Sequence, residues 1–400
     1  FSGTASTSGG TVVATISRNG DLVSHLYVEF DPSAVLTDGS SAKYVPNVGH
    51  ELLREMEIEI GGQRIDRQYS HWLNAYNFLH GELKATSTRV DTGDYAIAPV
   101  INKTGLSTID SDKLNTAEIS SPPTMYQKMS FNVKCGHSSG LVPQRYAAVP
   151  LQFWFCRNPG LALPLIALQY HEVKVKLTLA PNTELKTSGA NGVGSSYSSI
   201  KLFADYIYLD TDERRRFAQV SHEYLIEQVQ YQSFAAGKTF DLKFNHPVKE
   251  LVWAGQRLTG SYSVHGGKST LQDLMKNGSD TRIRNESDVT ALLKLNGHDR
   301  FSARHDNYFT RTQVWQHHHG ARTGTGGGDS SDHAGDAVHV YSFALKPEEH
   351  QPSGTCNFSR IDNAQLNYSV LPVDGTLYVY AVNYNVLRIM SGMGGLAYSN

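Results

Sequence analysis

Cysteine is nearly absent. Cys135, Cys156 and Cys356 are the whole complement of a 400-residue chain, an odd number with no CxxC spacing. That excludes a disulfide framework and a four-cysteine zinc site, and the three read as thiols kept in a reducing compartment. Long apolar runs are missing too. The longest, near residues 148–155 and 161–168, span about eight residues and contain proline, far short of the roughly 18 that a membrane-crossing helix needs. An excess of one charge is also lacking: 36 Lys and Arg face 38 Asp and Glu, a formal net charge of −2. No global field exists to neutralise a polyphosphate backbone or an anionic membrane, so direct nucleic-acid binding is not expected. The Ser/Thr/Gly-rich start, residues 1–11, has no basic-then-apolar signal pattern.

What the chain has is aromatic and alternating. Charged residues are 18%, below the roughly 25% of an average soluble domain, while 21 Tyr and 15 Phe lean it towards β-structure and large contact surfaces. Glu55-Met56-Glu57-Ile58-Glu59-Ile60 alternates strictly, and so does Val173-Lys174-Val175-Lys176-Leu177-Thr178-Leu179, as half-buried antiparallel strands require. Further β-rich runs lie at 12–16, 22–30, 147–155, 202–209, 225–231, 240–244, 250–253, 291–295, 338–345, 366–370 and 377–387. Helical periodicity is confined to 70–79, after the Gly61-Gly62 turn, with a second stretch near 299–313. The fold class is all-β, sandwich or barrel, with short helices in connections. Long polar segments at 85–123, 186–199, 258–288 and 317–336 decorate it.

A weak internal repeat organises the chain. EIEIGGQRID at 57–66 resembles KLNGHDRF at 294–301: an alternating strand, a Gly-Gly or Asn-Gly turn, then a polar residue and Arg. Aromatic-bearing segments follow both, and the apolar strand at 202–209 has a counterpart at 377–384. Two ordered matches in halves of about 200 residues imply duplication of one sandwich. The charged run 210–216 is the natural boundary, giving domains 1–213 and 214–400.

Candidate chemistry is thin. His317-His318-His319 is the most metal-like string, but adjacent histidines on an extended chain point to alternate sides, so it reads as a polar loop. Asp329, Asp332 and Asp336 lack EF-hand spacing. His171 and His222 begin zincin-like strings without the second histidine and read as strand-edge residues. Glu57 and Glu59 share a strand face that is solvated or paired across strands rather than a glycosidase dyad. Arg214-Arg215-Arg216, flanked by Asp210, Asp212 and Glu213, reads as a locally salt-bridged linker. No nucleophile elbow or Walker loop occurs, and Gly324 to Gly328 lack the strand and helix a phosphate loop needs. No catalytic residue, metal or cofactor is expected. Sequons at Asn102, Asn277 and Asn285 fall in long loops, whereas Asn357 and Asn367 lie in or beside β-runs. An extracellular carbohydrate-binding jelly roll, with Tyr197, Trp253 or Tyr262 as sugar platforms, is the alternative.

Several strings are more specific. ISRNGDL at 16–22, EIEIGGQRID, PGLALPLIALQYHEV at 159–173, DYIYLDTDERRRFAQ at 205–219, HEYLIEQ at 222–228, LKPEEHQPSGTCNFSRIDNAQL at 345–366 and NYNVLRIMSGMGGLAYSN at 383–400 resemble the major capsid proteins of nucleocytoplasmic large DNA viruses, nearest to the chlorella-virus type. The resemblance implies a double jelly roll of two eight-stranded antiparallel sandwiches. It implies a homotrimer forming a pseudo-hexagonal capsomer, which meets neighbouring capsomers and minor capsid proteins in the shell of a virion assembled in the host cytoplasm. It also implies covalent glycans on outer loops at atypical sites, which leaves Asn102, Asn277 and Asn285 as candidates only. An N-terminal arm usual in the family has no counterpart before the first strand here. Arg360 and Asp362 of SRID, with Arg388, Gly392, Gly394 and Gly395 of the tail, are expected to stabilise the second jelly roll or its interface. Arg388, in an apolar run, would need a partner if buried.

Overall fold

The computed structural model describes residues 2–3, 9–30, 48–80, 129, 147–181, 200–255, 289–319, 338–369 and 376–398. Nine strands make up its first half: β1 (Ser2–Gly3), β2 (Gly10–Thr15), β3 (Leu22–Phe30), β4 (Leu53–Ile60), β5 (Gln63–Tyr69), β6 (Ala147–Pro150), β7 (Leu163–Pro164), β8 (Val173–Leu179) and β9 (Lys201–Ile207). They form one sheet ordered β1-β2-β8-β4-β5 and a second in which β3 pairs with β6, β7 and β9. The second half contains β10 (His222–Phe234), β11 (Thr239–Asp241), β12 (Pro247–Gly255), β13 (Thr290–Leu295), β14 (His298–Asp299), β15 (Arg304–His305), β16 (His339–Ser342), β17 (Cys356–Asn357), β18 (Ala364–Tyr368), β19 (Leu377–Met390) and β20 (Met393–Leu396). Its sheets run β11-β18-β13-β14 and β10-β19-β12-β16, with β15, β17 and β20 added to β13, β12 and β19.

These orders are one pattern written twice. Strands β2-β8-β4-β5 correspond to β11-β18-β13-β14, and β6-β3-β9 to β16-β12-β19. Both central strands, β3 and β12, carry a one-residue register shift near their starts, at Ser24 and Lys249. The repeated turns match in backbone as well: Gly61 and Gly62 have φ of 59° and 83°, Asn296 and Gly297 of 52° and 80°. Two successive residues at positive φ make the turn whose twist suits a hairpin, which is why glycine and asparagine recur there. The duplication legible in the sequence is therefore present in topology, register and turn.

Each sandwich has its own apolar core. Val23, Leu26, Met56, Ile58, Phe153 and Leu177 are among the residues filling the first, Phe240, Leu251, Trp253, Leu293, Phe309 and Val379 among those filling the second. A third cluster joins the halves. Helix α1 (Val48–Leu52) precedes β4, and α2 (Ser70–His80) follows β5. The face of α2 bearing Trp72, Ala75 and Leu79 lies on Val229, Val252, Val340, Tyr380 and Val382 of the second half. Burying each of those valines contributes about 1.5–3 kcal/mol. Strand β12 is consequently apolar on both faces, Leu251 and Trp253 inward to its own core, Val252 and Ala254 towards α2. The long antiparallel pair β10–β19 reaches still further, placing Ile226, Leu387 and Ile389 in the first half's core.

Three expectations need correction. The run 147–155 is not one strand: β6 stops at Pro150, which has no N–H for the ladder, and α3 (Trp154–Arg157) buries Trp154, Phe155 and Cys156 instead. The charged run is no extended linker but a helix, α4 (Thr211–Gln219), with Asp212 and Glu213 in its first turn and Arg216 in its last, matching the helix dipole. None of its residues is buried, as suits a polar bridge between sandwiches. Arg214 pairs with the buried Asp21 at 3.0 Å rather than with its acidic neighbours in sequence. The second helical stretch begins later than 299, with a π-helical turn at Tyr308–Thr312 leading into α5 (Gln313–His317).

Candidate functional site

The seam between the halves is apolar around α2 and strongly charged beside it. Glu227 on β10 sits 9% exposed and accepts from Arg157 Nη1 of α3 at 2.8 Å and from Lys249 Nζ at 2.6 Å. Lys249 reaches it because the register shift in β12 re-aims this one side chain. Its Nζ also donates to the carbonyl of Pro347 at 2.7 Å. Arg157 lies 5.5 Å from the ring centre of Tyr76, and Lys249 5.7 Å from that of Tyr384. Burial alone would raise the Glu227 pKa, but the two cations hold it below the usual carboxylate range.

Next to this triad is an amide network. Val229 N donates to Asp66 Oδ1 at 3.1 Å, and Gln68 Nε2 donates to Asp66 Oδ2 at 3.1 Å. Gln228 donates to the carbonyl of Ile65 and accepts from Asn385 Nδ2 at 3.0 Å. Asp66, wholly enclosed, has its pKa raised to about 6 by burial, against those hydrogen bonds. Residues of β5 thus bond directly to the edge of β10, across the boundary between sandwiches.

The third group lies at the end of α2. His318 is fully buried, with Nδ1 3.0 Å from Glu348 Oε1 and Nε2 3.1 Å from Glu250 Oε2. Burial would lower its pKa, but the carboxylates on either side raise it to about 9. His80 Nε2 lies 3.9 Å from Glu348 Oε1, and burial lowers the pKa of His80 to about 4. Glu348, although burial pushes it upward, is brought down to about 2 by hydrogen bonds from His318 and His319. The polar-loop reading of the His-His-His string is therefore overturned. His317 ends α5 with Nδ1 3.1 Å from the carbonyl of Leu345, His318 turns inward, and His319, 76% exposed, folds its ring back onto Glu348.

Other sequence-picked residues fall elsewhere. Glu57 is buried, not solvated, and is paired across strands with Arg67 on β5 and with Lys176 Nζ on β8 at 3.1 Å. Arg388 is exposed, not buried, and pairs with Glu223 Oε1 at 2.9 Å across the β10–β19 ladder. Arg360 and Asp362 are exposed as well, and the Asp362 N–H donates to Asn296 Oδ1 at 2.9 Å. SRID and the tail are not brought together: the tail packs on the first half. A Cβ on Gly392, at φ +80°, would stand 2.5 Å from the Tyr170 ring, one on Gly394 2.7 Å from Leu168 Cδ2, and one on Gly395 3.1 Å from Gln63 Oε1. His171 Nδ1 lies 3.0 Å from the Gly394 carbonyl, and His222 Nε2 2.8 Å from that of Phe217. Trp253 is 1% exposed with Nε1 donating to Tyr368 Oη at 2.7 Å, so it is no sugar platform. Cys156 is buried, its thiol pushed up to about 12 by desolvation, and Cys356 is also free. Asn357 Oδ1 accepts from Ser359 N at 3.1 Å, and Asn367 lies within β18. Asn102, Asn277, Asn285, Tyr197, Tyr262, Cys135, residues 324–328, Asp329, Asp332 and Asp336 lie outside the described residues.

Sequence reasoning missed Arg157, Glu227, Lys249, Glu250 and Glu348 as a set. The available signal was charge at positions where a strand is otherwise apolar on both sides, as at Lys249 and Glu250 before Leu251-Val252-Trp253-Ala254. Chemically the arrangement fixes one half against the other: a buried charge network is satisfied only in a single relative placement.

Comparison with known proteins agrees with this construction. Residues 213–395 match the family described as large eukaryotic DNA virus major capsid protein, and residues 1–210 match the family described as major capsid protein N-terminus. The chain is similar to the major capsid protein of Pyramimonas orientalis virus, at 44% identity over 98% of this chain and 87% of the relative. It is 36% identical to that of Paramecium bursaria Chlorella virus 1, over 98% and 88%. Among solved structures, PBCV-1 VP54, as fitted into a reconstruction of the virophage Sputnik, matches with a TM-score of 0.67 at 35% identity, covering 98% of this chain and 93% of that one. The Faustovirus major capsid protein, 13% identical with a TM-score of 0.64 over 97% and 89%, shares the fold.

Proposed function

The chain belongs to the family of major capsid proteins of large eukaryotic DNA viruses, and from that footing we propose that three copies join into a pseudo-hexagonal capsomer that tiles the shell. It is a structural capsid protein of an icosahedral virus, with the double jelly-roll fold. One observation carries the trimer: a single sheet order occurs twice, and a buried seam fixes the two copies against each other. Three such chains present six similar sandwiches in fixed orientation, which suits a hexagonal lattice built from a three-fold particle.

Exposed apolar side chains support self-association. Tyr170, Met390 and Met393 gather around the Gly392 turn at 75%, 54% and 51% exposure, while Trp315 and Leu345 stand out on segments joined by the His317 hydrogen bond. The matched spans support a division at residues 1–213 and 214–400. The chain is a scaffold and not an enzyme in this reading. Its other partners are neighbouring capsomers and minor capsid proteins in the virion, it assembles in the host cytoplasm, and with a net charge of −2 it does not grip the genome directly. Asn102, Asn277 and Asn285 are proposed glycan carriers, and the three tail glycines are proposed to dock the C-terminus on the first jelly roll. Negative-stain images of the purified protein test the reading. Class averages with a hexagonal outline are expected, and dispersed single chains that bind a glycan array would overturn it.

A further inference from the structure

We propose that His80, His318, His319 and Glu348 form a divalent transition-metal site, suited to Zn2+, that clips the two jelly rolls together. Four ligands at about 2.0–2.1 Å from a tetrahedral zinc stand roughly 3.3 Å apart. Here Glu348 Oε1 is 3.0 Å from His318 Nδ1 and 3.9 Å from His80 Nε2, and one donor atom from each of these three residues lies within 4.8 Å of the others. The widest separation is no more than 4.8 Å, so closing the triangle to zinc geometry draws the donors together by at most about 1.5 Å. His319 lies beside that triangle, its Nδ1 on the second oxygen of Glu348, and a turn of its exposed ring brings a fourth donor to the ion.

The groups behind the donors are arranged as ligands require. His80 Nδ1 is 2.8 Å from the carbonyl of Tyr76, so it carries the proton and leaves the Nε2 lone pair facing the cluster. His318 Nε2 faces Glu250 Oε2 at 3.1 Å, which leaves Nδ1, on the Glu348 side, as the ligating atom. Three imidazoles and one carboxylate are the donor set of zinc rather than of magnesium or calcium. Exposed His319 marks the entrance, while His318 is closed off from water. His80 belongs to α2 of the first half, and His318 and Glu348 to the second, so one ion would bridge the seam.

The test is zinc titration of full-length protein stripped by a chelating resin, read by competition with a chromophoric chelator and by melting with and without ZnCl2. One Zn2+ per chain and a higher melting temperature with zinc are expected. His319→Ala, at an exposed position, and the conservative Glu348→Gln should each weaken binding at least about tenfold, and His298→Ala, in the distant β14, should not. Substoichiometric uptake, or uptake indifferent to both His319→Ala and Glu348→Gln, overturns the site.

Discussion

Replacing Glu227 by glutamine tests the seam at its most enclosed point. The substitution keeps the shape of the side chain and removes the one charge that Arg157 and Lys249 share at 2.8 and 2.6 Å. Both cations stay buried, Lys249 at 4% side-chain exposure, with carbonyl and ring contacts but without their carboxylate. Removing one member of such a buried set costs about 3–5 kcal/mol. An unfolding entropy of about 2.1 cal/mol/K per residue gives roughly 0.8 kcal/mol/K for the whole chain melting as one unit, so Tm should fall by about 4–6 °C. Scanning calorimetry at several scan rates is the assay. Exchanging all three residues for apolar ones of similar size should recover much of the loss, because no buried charge is then unpaired. A Glu227→Gln protein melting within about 1 °C of the parent would refute the reasoning.

Arg388→Ala should behave differently: its pair with Glu223 is exposed on both sides, so the cost is about 0–1 kcal/mol and the calorimetric Tm stays nearly unchanged. Gly394→Ala drives a methyl to 2.7 Å from Leu168 Cδ2 and should cost about 1–3 kcal/mol, read as a lower urea midpoint. Acid should weaken the fold below about pH 6.5. His50 is buried and His71 half-buried with its Nδ1 enclosed, and desolvation lowers the pKa of each to about 4, so the unfolded chain binds more protons between 4 and 6.5 and stability is lost as pH falls through that window. Each contributes about 3 kcal/mol, and Asp66, raised to about 6, opposes them with one contribution of similar size. Urea midpoints should therefore drop from pH 7 to pH 4.5, and a flat or rising series would contradict the burial of these rings.

The fold was largely legible because its determinants are local. Alternation at 55–60 and 173–179 marked β4 and β8, and the Gly-Gly and Asn-Gly turns marked the repeated hairpins. Helix α2 was legible from its periodicity, although its burial on two sides was not. What the residues hid was every feature set by the partner half. The face of Glu57 reads as either solvated or paired across strands, and only the arrival of Arg67 and Lys176 from the two flanking strands decides for pairing and burial. His318 reads as loop until α5 extends to His317 and turns it towards Glu250 and Glu348. The apolar run around Arg388 left its burial open, and near the end of the long β10–β19 pair its face of the strand is open to solvent. Charge in the seam is invisible to periodicity, since it depends on which strand of the other sandwich arrives opposite.

The most direct measurement of the central claim is the mass of the purified protein in solution, by light scattering coupled to gel filtration. A single species at three times the 44.1 kDa chain mass, persisting on dilution, is the expected result. A stable monomer of 44.1 kDa under the same conditions would contradict a trimeric capsomer as the working form of this chain.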